Sequence, residues 1–236
     1  MALKNLLDFA SAMLHICTEF KNSPMQKIKN IIFDYGNVIF EIDFRIAQNA
    51  FAQLGIPNIE TFFGHKGHDN LFSELETGAI TAAQFRDGIR NAAQNPTLTD
   101  EEIDAAWNSL LIGVPENVHD ILLKVKDKYR TFLLSNTNEI HYNYILKYLK
   151  KEFEVENNDH LFEKAYYSQL MKLRKPHVEI FEQVLKENNL IAEETLFIDD
   201  SPQHLVGAKQ AGMHTLLMTE NPKYLDKFLE KNGILS

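Results

Sequence analysis

The sequence predicts an α/β fold, a doubly wound parallel sheet, with a block of helices inserted after its first strand. Three observations support this prediction. After Pro115, short apolar segments alternate with amphipathic helices, as in βαβ units. Residues 44–115 instead have helical periodicity and almost nothing typical of a strand. An apolar segment at residues 28–33 precedes that block, so we expect it to be a strand of the same sheet, buried on both faces.

The elements before Pro115 can be assigned in order. Residues 4–20 have the apolar stripe of a helix, which Asn22-Ser23-Pro24 would end. The strand at 28–33 follows. Helical periodicity then covers residues 44–54, 80–93 and 100–110, and Thr99 followed by acids is a typical helix start.

The elements after Pro115 are shorter and alternate regularly. We predict helices at 116–126, 139–149, 176–188 and 203–211, and strands at 131–134, 165–168, 195–198 and 214–218. The chain therefore divides into a helical appendage (1–24), an α/β core (25–43 and 116–236) and an inserted helical cap (44–115). Insertions of this size commonly act as lids or select the substrate.

The composition is that of an ordinary globular protein. Apolar residues make up 44% of the chain and charged residues 24%. The net charge of −9 would not attract nucleic acid or an anionic membrane, and no apolar run is long enough to span a bilayer. We therefore expect no nucleic-acid or membrane partner, and a monomer or weak homodimer.

The single cysteine, Cys17, can form no internal disulfide and belongs to no zinc-binding cluster, which fits a reducing compartment. The apolar N-terminus resembles a signal peptide, but Asp8, His15 and Glu19 interrupt it and no small-residue cleavage site follows. An amphipathic helix and a cytoplasmic location are the better interpretation.

Polar side chains follow four of the predicted core segments. Each has a structural explanation, such as a turn, a helix N-cap or an exposed helix start. In an open parallel sheet, however, the carboxyl ends of the strands share one edge, where ligands bind. The polar groups are Asp34, then Ser135-Asn136-Thr137, then Lys175-Pro176, then Asp199-Asp200-Ser201.

Together these groups predict a site for Mg²⁺ and a phosphate ester. Mg²⁺ prefers carboxylate oxygens and would cancel the repulsion among Asp34, Asp199 and Asp200. Ser135 and Lys175 would supply donors to phosphate oxygens. A carboxylate held there can attack phosphorus in line and form an aspartyl-phosphate.

The segments D-Y-G-N-V, L-S-N-T, R-K-P and F-I-D-D-S, in this order, resemble the haloacid dehalogenase (HAD) superfamily of hydrolases. The resemblance spans about residues 27–220 and implies a Rossmann-like core with a helical cap of the first type at 44–115. The stretch F-S-E-L-E-T-G-A-I-T-A-A-Q-F at 72–85 is most similar to the bacterial branch that includes glucose-1-phosphate phosphatases.

The resemblance also implies roles for single residues. Asp34 would be the nucleophile and a metal ligand, and the Gly36 carbonyl a second ligand. Asp200 would bind Mg²⁺ directly, with Asp199 beside it or one water away.

On the substrate side, the resemblance implies that Ser135 and the backbone amide of Asn136 bind the phosphoryl group. Lys175 would neutralise both the nucleophile and the phosphoryl charge. The expected enzyme is a Mg²⁺-dependent phosphatase of small phosphomonoesters, sugar phosphates in particular, with a hexose 1-phosphate as one candidate.

One position departs from the phosphatase pattern. Most phosphatases of this superfamily carry a second Asp two residues after the nucleophile, which protonates the leaving oxygen and later activates water. Here that position is Gly36. Asp43, a cap residue or water would have to replace it, or the leaving group would need little acid assistance.

Two other functions stay open from the sequence. Haloacid dehalogenases also lack this Asp, but they are metal-free and do not carry an acid pair like Asp199-Asp200. A catalytically silent binding protein would have no need of an intact nucleophile, lysine and acid pair. The pair His65 and His68 suggests a metal site only weakly, and the aromatics Trp107, Phe62, Phe63, Phe72 and Phe85 are best explained as the core of the cap.

Overall fold

The structure is a computed structural model that describes residues 27–56 and 70–235. The predictions for the helix at 4–20, for His65 and His68, and for Phe62 and Phe63 fall outside these residues. Within them, no helix has both the length and the apolar composition needed to cross a membrane.

The core is a five-stranded sheet in which every neighbouring pair is parallel. Its strands are β1 (Asn30–Phe33), β4 (Arg130–Ser135), β5 (Lys164–Tyr167), β6 (Thr195–Asp199) and β7 (His214–Leu217). They lie in the order β5-β4-β1-β6-β7. The first strand of the chain is therefore the central one, and β4 and β6 flank it, so these three strands end side by side.

Both faces of the sheet are buried, as the continuous apolar runs predict. Successive side chains of β1 enter different cores: Ile31 and Phe33 belong to one apolar cluster and Ile32 to the other. Helices cover the sheet, and all but the four-residue helix that begins at Ser168 bury apolar side chains against it. They are α5 (Val118–Lys126), α6 (Glu139–Phe153), α7 (Ser168–Met171), α8 (Val178–Glu187), α9 (Pro202–Gln210) and α10 (Leu225–Lys231).

The inserted segment is mainly helical, in α1 (Phe44–Gln53), α2 (Asn70–Glu76), α3 (Ala82–Ala93) and α4 (Asp100–Asn108). Thr81 and Thr99 start α3 and α4 with capping boxes, which is why α3 begins two residues later than its periodicity indicates. Phe72 and Phe85 pack on Trp107 with ring centroids 4.8 and 6.2 Å away. These three aromatics are thus part of the hydrophobic core.

A small antiparallel sheet stands where the chain enters and leaves this insertion. It pairs β2 (Glu41–Ile42) with β3 (Leu111–Gly113). The prediction that residues 44–115 contain almost no strand missed β3. The two strands bring the ends of the insertion together, and the division into core and cap remains a prediction.

Ser168 joins the insertion to the core. Its hydroxyl oxygen lies 2.6 Å from the carbonyl oxygen of Glu76, at the end of α2, and 2.9 Å from that of Thr137, after β4. It also accepts a hydrogen bond of 2.9 Å from the Thr137 N–H. Ser168 is fully buried, so this contact lies beneath the surface.

Candidate active site

Lys175 lies between two carboxylates at the carboxyl end of the sheet. Its Nζ is 2.6 Å from Asp34 Oδ1 and 2.7 Å from Asp199 Oδ2. Asp34 follows the central strand and Asp199 ends β6, so the parallel register places them side by side. The Lys175 side chain is 0% exposed, which excludes the interpretation of an exposed helix start. If Asp34 only formed a turn and Asp199 only capped a helix, neither would require a buried ion pair with lysine.

The surroundings of Asp34, Asp199 and Lys175 shift their pKa values in different directions. Burial raises the pKa of Asp34, the charge of Asp199 adds to that effect, and Lys175 opposes it. Burial also acts to raise the pKa of Asp199, but Lys175 and His204 outweigh it, so this pKa is lowered. Burial acts to lower the pKa of Lys175, yet the two carboxylates raise it overall, so the ammonium group stays charged.

Asp200 is the third carboxylate at this edge. It is partly buried, and its Oδ2 accepts a hydrogen bond of 3.2 Å from Asn37 Nδ2. Asn37 has a positive φ of 53°, a conformation that asparagine tolerates better than most residues, and its Oδ1 accepts a hydrogen bond from Ile42 N. Burial and Asp199 raise the pKa of Asp200. Asn37 thus orients Asp200, a role that sequence reasoning missed.

His204 is the second residue that the sequence did not indicate. Its Nδ1 lies 3.0 Å from each carboxylate oxygen of Asp199. Its position in the first turn of α9, five residues after Asp199, is the one available signal, since a helix start following a strand faces the end of that strand. Burial lowers the pKa of His204, and Asp199 opposes this.

The donor set fits Mg²⁺. Ligand atoms of Asp34, Asp199 and His204 lie within 4.8 Å of one another, and Asp34 and Asp199 offer hard carboxylate oxygens. The bridge between Gly36 and Phe40 uses backbone groups of Tyr35 and Asn37, which leaves the Gly36 carbonyl out of it. Of the predicted ligands, Asp34 and Asp199 belong to this donor set; Asp200 is not part of it, although its charge acts on Asp34. The roles of Asp34, Gly36, Asp199 and Asp200 as ligands remain predictions.

Ser135 and Asn136 complete this edge at the end of β4. Ser135 is buried, and Asn138, rather than Ser135, caps the following helix. The side chain of Asn136 forms two hydrogen bonds with the backbone of Lys175: its Nδ2 donates to the carbonyl oxygen at 3.0 Å, and its Oδ1 accepts from the amide at 2.9 Å. Asn136 therefore fixes the loop that carries the buried lysine.

A cavity of about 70 Å³ lies between this edge and the insertion. Gly36, Ser135 and Asn136 line it from the core. The rest of its wall is largely apolar and includes Trp107, with Glu76 and His141 among its polar groups. A small group attached to a phosphate could occupy this space.

Comparisons with known proteins agree with this geometry. A family model described as haloacid dehalogenase-like hydrolase matches residues 28–212. The D-ribitol-5-phosphate phosphatase of Bacteroides thetaiotaomicron is 34% identical over 191 residues, which cover 80% of this chain and 90% of that protein.

Two solved structures are similar throughout their length. A HAD family enzyme from B. thetaiotaomicron, in complex with magnesium and inorganic phosphate, is 38% identical with a TM-score of 0.74, and the match covers 84% of this chain and 98% of that one. A predicted HAD-like hydrolase from Porphyromonas gingivalis is 29% identical with a TM-score of 0.75, over 87% of this chain and 98% of that one.

These findings confirm the predictions of a Rossmann-like HAD core, of a phosphatase and of Mg²⁺ as its cofactor. The family match covers the whole set of segments at the sheet edge, from D-Y-G-N-V to F-I-D-D-S. The chain belongs to the haloacid dehalogenase-like hydrolase family.

Proposed function

We propose that the protein hydrolyses the phosphate ester of a small sugar or sugar alcohol through an aspartyl-phosphate on Asp34. The observation that carries this proposal is the buried Asp34–Lys175–Asp199 group, at the same sheet edge as a small cavity that Gly36 and Ser135 line. A nucleophile held by a buried cation, next to hydrogen-bond donors for an anion, suits in-line phosphoryl transfer.

In the first step, an oxygen of Asp34 attacks phosphorus as the ester P–O bond breaks and its electron pair moves to the leaving oxygen. Lys175 holds the Asp34 carboxylate by a 2.6 Å hydrogen bond, so little orientational freedom is lost on reaching the transition state. In the second step, water attacks the phosphorus, and the electron pair of the P–O bond returns to Asp34. The products are the alcohol and inorganic phosphate.

The phosphoryl oxygens are bound by donors at the end of β4 and by the lysine. We assign this role to the Ser135 hydroxyl, the Asn136 backbone N–H and Lys175. Preorganised donors of this kind stabilise developing negative charge without reorganising during the reaction. The Asn136 side chain has a separate function, since its two bonds to the Lys175 backbone fix where the ammonium group lies.

Asp34, the Gly36 carbonyl and Asp200 would hold Mg²⁺, with Asp199 and His204 beside them. When bound, the ion supplies positive charge that balances the carboxylates and the phosphate. The need for it follows from this chain's own residues, because one ammonium group faces three carboxylates at the sheet edge.

The substrate class rests on two supports. The relative from B. thetaiotaomicron is named for a five-carbon sugar-alcohol phosphate. The cavity of about 70 Å³ leaves room for a small group and places carboxyl, amide and hydroxyl groups near it. A hexose 1-phosphate, which the stretch at 72–85 favours, is therefore tested beside a pentitol 5-phosphate.

The test is phosphate release from ribitol 5-phosphate, glucose 1-phosphate and glycerol 3-phosphate, with Mg²⁺ and with EDTA. We expect turnover that EDTA abolishes and Mg²⁺ restores. Asp34→Asn should reduce kcat by about 10⁴-fold or more while the protein stays folded, as for other removed nucleophiles. The matched control, Asp127→Asn, changes an exposed Asp outside the site and should leave kcat unchanged.

Two outcomes would contradict the proposal. One is halide release from 2-haloacids that persists in EDTA, with no phosphate released from any ester. The other is an Asp34→Asn variant that keeps an appreciable fraction of the wild-type kcat.

A further inference from the structure

The cavity that Gly36 lines has no acid at the position, two residues after Asp34, where most related phosphatases carry one. That position, Gly36, is also sterically restricted, because a Cβ there would lie 3.0 Å from Ile42 Cδ1. An Asp at 36 would therefore require Ile42 to move. If the reaction uses a proton donor, it has to come from another part of the cavity wall.

Three titratable side chains line the cavity in the described part of the chain: Tyr35, Glu76 and His141. Burial raises the pKa of Tyr35 far above the working range. His141 uses both ring nitrogens, one 3.1 Å from Asn138 Nδ2 and the other 3.2 Å from the Trp107 carbonyl oxygen. Burial lowers the pKa of His141 to about 4, so the ring is neutral at pH 7.

Asp43, which the sequence analysis offered as a replacement for the Asp missing at position 36, is bonded to Arg45 instead. Its two carboxylate oxygens bond to the guanidinium of Arg45, the shortest contact being 2.6 Å, and one of them also caps α1. The hydrogen bonds from Arg45 lower its pKa. It is also not among the residues that line the cavity. A carboxylate in this setting has no proton to donate.

Glu76 remains, and its surroundings suit proton transfer. Its backbone is fixed by Ser168, and 23% of its side chain is exposed. Its buried Oε2 forms an ion pair of 2.9 Å with Arg174 Nη2 but, unlike the oxygens of Asp43, accepts no aligned hydrogen bond from the described residues. Burial raises the pKa of Glu76, while the charges of Arg174 and Lys175 oppose the shift.

We propose that Glu76 takes the place of the missing Asp and transfers the proton in both halves of the reaction. In the first half, the Glu76 carboxyl gives its proton to the leaving oxygen as the ester P–O bond breaks, and the alcohol departs. In the second half, the Glu76 carboxylate takes a proton from the water whose oxygen attacks the Asp34 phosphate. The carboxyl group is then restored, and no further proton donor is needed.

This inference rests on the proposed phosphatase reaction, and the experiment separates the two. Kinetics are measured for Glu76→Gln on ribitol 5-phosphate, whose leaving alkoxide needs a proton, and on 2,4-dinitrophenyl phosphate, whose leaving phenolate does not. We expect kcat/KM for the alkyl ester to fall by about 10²–10⁴-fold, the range for loss of general acid catalysis. For the aryl ester, kcat/KM should change by less than about threefold, since general acid assistance is not used.

The aryl ester also reports on the second half-reaction. Without a base to activate water, Glu76→Gln should release one dinitrophenolate per active site in a burst and then turn over slowly. If Glu76 had a purely structural role, Glu76→Gln would lower kcat/KM for both substrates together and would show no burst. Glu101→Gln, an exposed change on α4, is the charge-matched control and should behave as wild type.

The outcomes are distinguishable. Equal losses of kcat/KM for both esters in Glu76→Gln, or no loss, would overturn the role of Glu76 while leaving the proposed phosphatase function in place. No Mg²⁺-dependent phosphate release by the wild type from either ester would overturn the proposed function itself. If Glu76→Gln does not fold, kcat/KM of the wild type is measured across alkyl and aryl phosphates. A weak dependence on leaving-group acidity supports proton donation, and a steep one overturns it.

Discussion

Lys175→Met tests whether the buried lysine stabilises the fold mainly by balancing Asp34 and Asp199. Methionine is similar in length and apolar, so the change removes the charge with little loss of volume. Two carboxylates that are 9% and 0% exposed would then have no lysine or arginine partner among the described residues, and only Asp199 would keep the imidazole of His204 at 3.0 Å. Breaking a buried ion pair by removing one partner costs about 3–5 kcal/mol.

The expected loss in EDTA at pH 7 is therefore about 3–5 kcal/mol in the free energy of unfolding. In a protein of this size that corresponds to a decrease in Tm of roughly 6–20 °C, at about 2–4 °C per kcal/mol. Mg²⁺ should narrow the difference in the free energy of unfolding between the wild type and the variant. A cation that binds only the folded state adds about 2.7 kcal/mol to that free energy at a hundred times its Kd. The variant, with more uncompensated negative charge, should gain more than the wild type.

Lower pH should narrow the gap as well. In the wild type, the pKa of Asp199 is lowered, so its stabilisation is present above the unfolded pKa and is lost as pH falls through the folded pKa. In the variant, the unpaired carboxylates take up protons more readily in the folded state. Both pH 7 and pH 5 lie above the unfolded pKa of an aspartate, so the contribution of Asp199 to the wild type is intact at both, and the narrowing comes from proton uptake by the variant.

The assay is urea unfolding of both proteins in EDTA and in Mg²⁺, at pH 7 and pH 5, with Lys209→Met as an exposed control. A gap that is the same in all four conditions would refute the reasoning, because the cost would then come from packing and not from unpaired charge.

Three further predictions follow from the structure and the sequence. Gly207→Ala should destabilise the protein by about 1–3 kcal/mol or more, measured by urea unfolding, because its Cβ would lie 1.9 Å from the Pro176 carbonyl oxygen; unchanged stability would contradict this packing. Because the folded pKa of His141 is lowered to about 4, stability should fall as pH drops from about 6.5 to 4, by up to about 3 kcal/mol for this group, and His141→Gln should flatten the stability-against-pH curve. A chain that begins at Met25 should keep its kcat, as the sequence predicts for an appendage outside the chemistry; a folded truncation without turnover would contradict that expectation.

Most of the sheet could be predicted because its strands are buried on both faces. Apolar runs at 131–134 and 195–198 mark the interiors of β4 and β6 to within a residue or two, and polar residues mark their ends. The short strands Glu41–Ile42 and Leu111–Gly113 could not be predicted, because two or three residues show no period. They form only because the ends of the insertion meet in space.

The site could be predicted where its residues directly follow a strand, and not where tertiary packing supplies them. Asp34 and Asp199 belong to the first kind. Asn37 reaches Asp200 through a left-handed turn, and His204 reaches Asp199 from a helix start, neither of which leaves a local pattern. Glu76 lies over a hundred residues from the acid pair in the sequence and meets the cavity through the packing of α2.

The Ser168 hydroxyl carries one hydrogen but has two carbonyl acceptors within reach, on Glu76 and Thr137. The hydroxyl can donate to only one of them at a time, so the two carbonyl oxygens compete for a single hydrogen. If α2 moved away, the hydroxyl would rotate to Thr137, and no buried donor would be left unsatisfied. The Ser168 hydrogen bond to Glu76 can therefore break without leaving a buried donor unsatisfied, so α2 is held to the core mainly by the ion pair of Glu76 with Arg174 and by the burial of Phe72 and Leu75.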